Sequence, residues 1–198
     1  MGLNLEYDSG QTPIDPEEKR GLLIKSITNR KELDEHEQLN IENAIEWTLK
    51  KKFKKEELLG IPFVLELHKK MFGQVWNWAG KFRNSNKNIG VDKFQIQPKL
   101  KLLIDDCKYW VENKIFPEDE IAIRFKHRLV SIHPFVNGNG RHSRLTGDVI
   151  VNKVFQKPVF TWGSKLVVSG DDLRNIYLNS LRNADNGDYT KLLLFARS

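Results

Sequence analysis

The chain has 198 residues, with 32 Lys and Arg against 26 Asp and Glu, a formal net charge of +6, and 39% hydrophobic residues. That is enough for one generous domain with a buried core. The composition is that of a soluble globular protein, and no stretch approaches the roughly 18 apolar residues of a membrane span. Cys107 is the only cysteine, which excludes an intrachain disulfide and a cysteine-built metal site and points to a reducing, cytoplasmic compartment. The positive balance suits an acidic partner such as a nucleotide, a nucleic acid or an anionic surface, without choosing among them.

The opening "MGLNLEYDSG" has neither a basic n-region nor an apolar run, and Glu6 stands where a myristoylation motif needs Ser or Thr. Residues 1–30, polar and holding "SGQTPIDPEEKRG", read as an extended N-terminal arm. The first strong helical period starts near Lys31, where Ile41, Ala44, Ile45, Thr48 and Leu49 fit a one-sided helix. This helix and the lysine run "KKKFKKEE" at 50–57, a solvated helix end, make a unit of 31–58. The main domain then covers 59–198.

In the main domain, Val64, Leu67, His68, Met71 and Phe72 share a helical face, with His68 read as a packed core histidine. From 74 to 98 aromatic and β-branched residues are interrupted by Gly and Asn. This predicts irregular chain and a small hairpin, with strands near 81–84 and 94–97. Helices follow after Pro98 (Leu100, Leu103, Ile104, Cys107, Trp110, Val111) and after Pro117 (Ala122, Phe125, Leu129, Ile132). A further helix runs to about Gln156, and two shorter ones cover 171–185 and 188–196. The fold class is therefore all-α with one small β-hairpin.

The segment with chemical content is "HPFVNGNGRHSR", residues 133–144. Pro134 disfavours helix at the residue before it, so His133 ends a helix one turn beyond the buried Leu129. The Asn/Gly stretch tolerates positive φ and close approach to the backbone. The next helix begins near Gly140–Arg141, so its unpaired N–H groups face this loop and form an anion site. Arg141 and Arg144 add two cations at a helix end whose dipole disfavours them unless an anion sits there. Two forks and a glycine nest suit a polyphosphate, and a histidine beside them suits deprotonation of an attacking hydroxyl. The plainer alternative stays open: a turn whose arginines pair with surface acids such as Asp148.

The same residues resemble the signature of the Fic (Fic/Doc, or Fido) family, H-x-F-x-(D/E)-G-N-(G/K)-R-x-x-R, with Asn137 the one departure. "WAGKFR" at 78–83 and "ADNGDYTKLLLF" at 184–195 are also similar to family segments. The whole chain, including "HEQLNIENAIEWTLK", resembles the small bacterial "mobile mystery protein B" group associated with mobile elements. The resemblance implies a Fic-type helical domain with a β-hairpin flap. Its implied activity is a protein adenylyltransferase that moves AMP from ATP to a hydroxyl of a target protein. It makes His133 the general base and has Phe135 fix the loop. Gly138, Asn139 and Gly140 would form the anion hole, with Arg141 on the β-phosphate and Arg144 on the γ-phosphate. It further implies that the flap, roughly Lys87–Ile96 with Ile89, Gly90 and Val91, docks the target segment. Mg²⁺ would be held by the family's acidic residue, a role for which the neutral Asn137 is a weaker ligand. A family brake pattern, (S/T)-x-x-x-E-(G/N), finds Glu-Asn at Glu42-Asn43 but Gln38 at its first position. Glu42 is thereby expected to pair with Arg144, and a toxin–antitoxin-like arrangement with a neighbouring regulatory protein is in keeping with the group.

Three other functions compete. One is a protein phosphotransferase of the Doc type, though Gly138, Gly140 and the full arginine pair favour the adenylylating orientation. Another is a non-enzymatic basic module for nucleic acid or a partner, disfavoured because the lysines are not interleaved with aromatics and no helix-turn-helix or zinc pattern is present. A histidine metal nuclease is weakest, since His127, His133 and His142 lie six and nine apart, unlike helical ligand pairs.

Overall fold

The computed structural model describes residues 14–198. Nine α-helices run through them: α1 Pro16–Lys19, α2 Arg30–Lys50, α3 Lys55–Leu58, α4 Ile61–Phe72, α5 Ile96–Asn113, α6 Glu118–Ile132, α7 Asn139–Val149, α8 Gly170–Asp185 and α9 Thr190–Arg197. A 3-10 turn, Lys93–Gln95, leads into α5, and a π-helical turn, Ile150–Val154, prolongs α7. The all-helical expectation holds.

Local chemistry sets the ends. The Asn29 side chain caps α2 by accepting from the Glu32 N–H at 3.0 Å, and Ser169 caps α8 through the Asp172 N–H at 3.1 Å. Glu118, Asp119 and Glu120 fill the first turn of α6 behind Pro117, where acids complement the helix dipole. α6 stops at His133, whose φ of 54° and ψ of 59° are left-handed.

Two apolar cores meet at the site. One is built from α5, α6 and the α9 face of Leu192 and Ala196. The other gathers α2, α4 and the Val75–Ala79 stretch. Phe135 belongs to the first core, while Leu145 and Val149 of α7 belong to the second. The 133–144 segment is thus pinned at the seam between them.

Three expectations need correction. No strand occurs among the described residues, only an isolated antiparallel bridge between Leu22 and Trp76. Residues 94–97, expected as a strand, lie in the 3-10 turn and the first turn of α5, which starts at Ile96 rather than after Pro98. The hairpin fails because side chains occupy its backbone: Arg83 donates to the carbonyls of Ser85 and Val91, and Asn86 accepts from the Lys93 N–H at 2.8 Å.

The buried face of α2 is Leu33, Glu37, Asn40, Ala44 and Thr48, while Ile45 and Leu49 point outward. The expected stripe holds in part, since Ala44 and Thr48 are buried and Ile41 packs on the second core, but two polar residues with partners complete the buried face. Glu37 accepts from Trp76 Nε1 at 2.6 Å, and Asn40 Oδ1 from the Gln74 N–H at 3.2 Å. The arm of residues 1–30 falls partly outside the described residues. From Ile14 onward it is not an extended tether: α1 forms one turn, and Ile14, Leu22 and Ile27 are buried against the second core.

Candidate active site

Phe135 is fully buried and stacks on His68, with ring centroids 3.7 Å apart. The Gly80 N–H donates to His68 Nδ1 at 2.9 Å, so Nε2 carries the proton and donates to the Asn137 carbonyl at 3.0 Å. The expected core histidine therefore also ties the loop down. Burial holds its pKa well below the usual range. Asn139 turns inward: Oδ1 accepts from the Phe135 N–H and Nδ2 donates to the Phe135 carbonyl, both at 2.9 Å. Its side chain braces the loop, so any part Asn139 takes in an anion hole falls to its backbone, which lies with Gly138 and Gly140 at the amino end of α7. Gly138 needs its φ of +76°, and a Cβ there would lie 2.6 Å from the Phe72 ring.

This bracing leaves the amino end of α7 open to a cavity of about 520 Å³. His133, Gly138, Gly140, Arg141 and Arg144 all line it. Ile89 of the expected flap does so too and is 48% exposed, whereas Val91 packs against the first core and donates its N–H to the Ile132 carbonyl at 3.3 Å. Gly90 passes directly over His133, with no room for a Cβ. The opposite wall is apolar and aromatic: Trp162, Leu173, Tyr177, Leu178, Leu181 and Phe195. Arg30 and Arg174 also reach the cavity, and among the described residues no Asp or Glu lines it. The Arg174 Nε is buried and has no hydrogen-bond partner among the described residues.

The electrostatics favour an anion and a neutral base. Burial first, then the Arg83 charge, pushes the His133 pKa down to about 4, against a weaker upward pull from the Val130 backbone. The imidazole is then uncharged at neutral pH and able to accept a proton. Arg144 stands over the Tyr177 ring at 5.6 Å, and the Tyr177 hydroxyl bonds to the buried Lys126 Nζ at 2.6 Å. Asp148 makes no ion pair with Arg141 or Arg144. It accepts from Trp162 Nε1 at 3.0 Å and from the Phe160 N–H at 3.1 Å, and burial raises its pKa to about 6.

The expected pairing of Glu42 with Arg144 is not formed. Glu42 lies on the exposed face of α2 and accepts from Gln38 Nε2 at 3.0 Å. The carboxylate that reaches the motif is Glu37, one turn earlier and on the buried face, 2.7 Å from Arg141 Nη1. Glu37 does not line the cavity, so it holds Arg141 from behind and leaves the space in front open.

Asn137 Oδ1 already accepts from the Gly138 N–H at 2.6 Å. Among the described residues no group of three His, Cys, Asp or Glu could hold a metal ion. One neutral oxygen does not fit a resident Mg²⁺, which favours carboxylate oxygens in octahedral geometry.

Sequence reasoning missed Glu37, Arg83, Trp162 and the α8 wall. Leu173, Tyr177, Leu178 and Leu181 recur at helical spacing, a readable signal, whereas Glu37 and Trp162 reach the site only through tertiary packing.

The spacing of these residues and the architecture that carries them have precedents. Residues 59–151 match the Fic/DOC family. In that span the chain carries α4 to α7 and the whole 133–144 segment. It is 26% identical over 179 residues to "Protein adenylyltransferase Fic" of Aedes aegypti, covering 88% of this chain and 34% of that protein. The chain thus spans about a third of the length of this curated Fic relative. Two solved structures share the fold. Fic-1 (residues 134–508) of C. elegans has a TM-score of 0.64 at 24% identity, covering 81% of this chain and 47% of that one. BepC of Bartonella tribocorum, solved with bound AMPPNP, has a TM-score of 0.65 at 15% identity, covering 92% and 97%.

Proposed function

We propose that this chain is a protein adenylyltransferase, moving AMP from ATP onto a hydroxyl side chain of another protein. The observation that carries this reading is the shared cavity, in which a buried neutral imidazole, the open amino end of α7 and two arginines converge. The names of the curated relatives, protein adenylyltransferase Fic, agree with it. In this reaction the target hydroxyl oxygen bonds to the α-phosphorus, and the bond from that phosphorus to the bridging oxygen breaks. Pyrophosphate leaves, and the hydroxyl proton passes to His133.

The α7 N–H groups at Gly138 and Gly140 face the phosphates, while Arg141 and Arg144 take the charge that builds on the leaving group. The aromatic and aliphatic wall of Trp162, Tyr177, Leu178 and Phe195 suits a base. Glu37 orients Arg141 rather than blocking ATP. Because the donor set at Asn137 does not fit a resident Mg²⁺, no step is assigned to one. The backbone around Ile89 lies at the cavity rim, where a target segment would meet His133.

The test uses ATP labelled at the α- or the γ-phosphate with candidate targets and with the chain itself. Transfer of the α-label that vanishes in His133→Ala supports adenylylation. Transfer of the γ-label alone would mean phosphotransfer with the nucleotide reversed, and no transfer of either would refute an enzyme.

A further inference from the structure

The tightest contacts to the His133 turn come from Arg83, a residue outside the 133–144 segment. Arg83 is 3% exposed. Its Nε donates to the His133 carbonyl at 2.7 Å, its Nη1 to the Ser85 carbonyl at 2.7 Å, and its Nη2 to the Val91 carbonyl. Its own backbone N–H donates to the Pro134 carbonyl at 2.9 Å. One planar fork thus joins the turn after α6 to both sides of the loop 83–91. Lysine, with a single ammonium, could not make the same set of directed contacts. A buried guanidinium bonded only to neutral carbonyls is costly to desolvate, so its place is not explained by stability alone.

The clamp has a geometric consequence. Gly90 is brought so close to His133 that a Cβ there would fall 2.5 Å from the His133 Cβ. His133 is also held in a left-handed conformation that few non-glycine residues adopt. Both the strained backbone and the packed face of the imidazole depend on the loop staying in place.

We propose that Arg83 is a positioning residue for His133, tying the 83–91 loop to the 132–134 turn so that the imidazole has one direction, into the cavity. The idea rests on His133 being the base, but the clamp can be measured without any activity. The charges facing His133 are Arg83 and Lys87 from the loop, with the Val130 backbone from α6; Arg141 and Arg144 of α7 share its cavity. Lys87 is neutralised by Asp15 at 2.7 Å and Glu18 at 2.6 Å. Asp92 offsets part of the Arg83 charge without forming an ion pair, and the remaining field reaches the imidazole. That field disfavours the imidazolium. Removing it raises the His133 pKa and moves the acid limb of the pH–rate profile upward.

The experiment compares the full chain with Arg83→Met and Arg83→Lys. One reading is the His133 imidazole titration by NMR, assigned through His133→Gln; the other is α-label transfer across pH. Arg83→Met should raise the His133 midpoint, shift the acid limb with it, and lower the rate at pH 7 by roughly 10- to 100-fold through misplacement. Arg83→Lys should keep the low midpoint and still lose rate. A folded Arg83→Met chain with an unmoved midpoint overturns the proposal. Should the methionine chain not fold, the lysine chain decides: a wild-type rate overturns it, and a reduced rate with an unmoved midpoint supports it. If the wild type transfers nothing, the adenylylation reading fails while the NMR titration still decides the clamp.

Discussion

Replacing His142 by glutamine should flatten the acid side of the stability curve. His142 is fully buried, with Nε2 3.0 Å from the Val64 carbonyl, and burial pushes its pKa down to about 3. His133 behaves alike at about 4. Both folded values lie below the unfolded 6.5, so the unfolded chain takes up these protons first as pH falls. Stability is full above pH 6.5 and declines below it, by about 1.4 kcal/mol per pH unit for each group. Between pH 7 and pH 5 that is about 2 kcal/mol each, or about 4 kcal/mol for the pair.

Asp148 opposes them. Its folded pKa of about 6 lies above its unfolded 3.8, so acidification through 6 returns about 1 kcal/mol. These three groups together lose about 3 kcal/mol, a sizeable part of the stability of a domain this size, and the buried His68, also held low, adds to the loss. Glutamine keeps a donor for the Val64 carbonyl but does not titrate, so His142→Gln should lose about 2 kcal/mol less over the same range. Urea unfolding at pH 5, 6 and 7 measures both slopes. Equal slopes in the two chains would refute the reasoning.

Other residues make separate claims. Asn139→Ala removes two buried hydrogen bonds to Phe135 and should cost about 2–3 kcal/mol, seen as a fall in Tm of roughly 5–10 °C. Gly138→Ala forces a side chain onto the Phe72 ring at positive φ and should also unfold more easily than wild type in calorimetry. Glu37→Gln leaves one oxygen for two donors, Trp76 Nε1 and Arg141; AMP transfer should fall, while Glu42→Gly on the exposed face should leave it unchanged. Asn137→Asp supplies a carboxylate at the amino end of α7 and should make transfer depend more steeply on Mg²⁺ in a metal titration.

Much of this was legible in the residues themselves. The helices carry strong 3.6-residue patterns, and the 133–144 segment announces a helix end, a glycine turn and a helix start in order. The flap was misread because a hairpin was inferred from β-branched and aromatic residues, whereas Arg83 takes up the carbonyls such a hairpin needs. The Glu42 expectation followed a local pattern. The residue that reaches an arginine is Glu37, because α2 buries a face holding Trp76's acceptor and leaves Ile45 and Leu49 outside. The Asn139 side-chain amide turns to Phe135, a direction that its position in the motif does not give. In each case the missing information was which way a polar side chain turns once two cores close around it.

The most direct test incubates the chain with α-labelled ATP and compares wild type with His133→Ala at pH 7. The account predicts covalent label on protein that falls roughly 10²- to 10⁴-fold without the imidazole. Equal labelling by the two chains would contradict it.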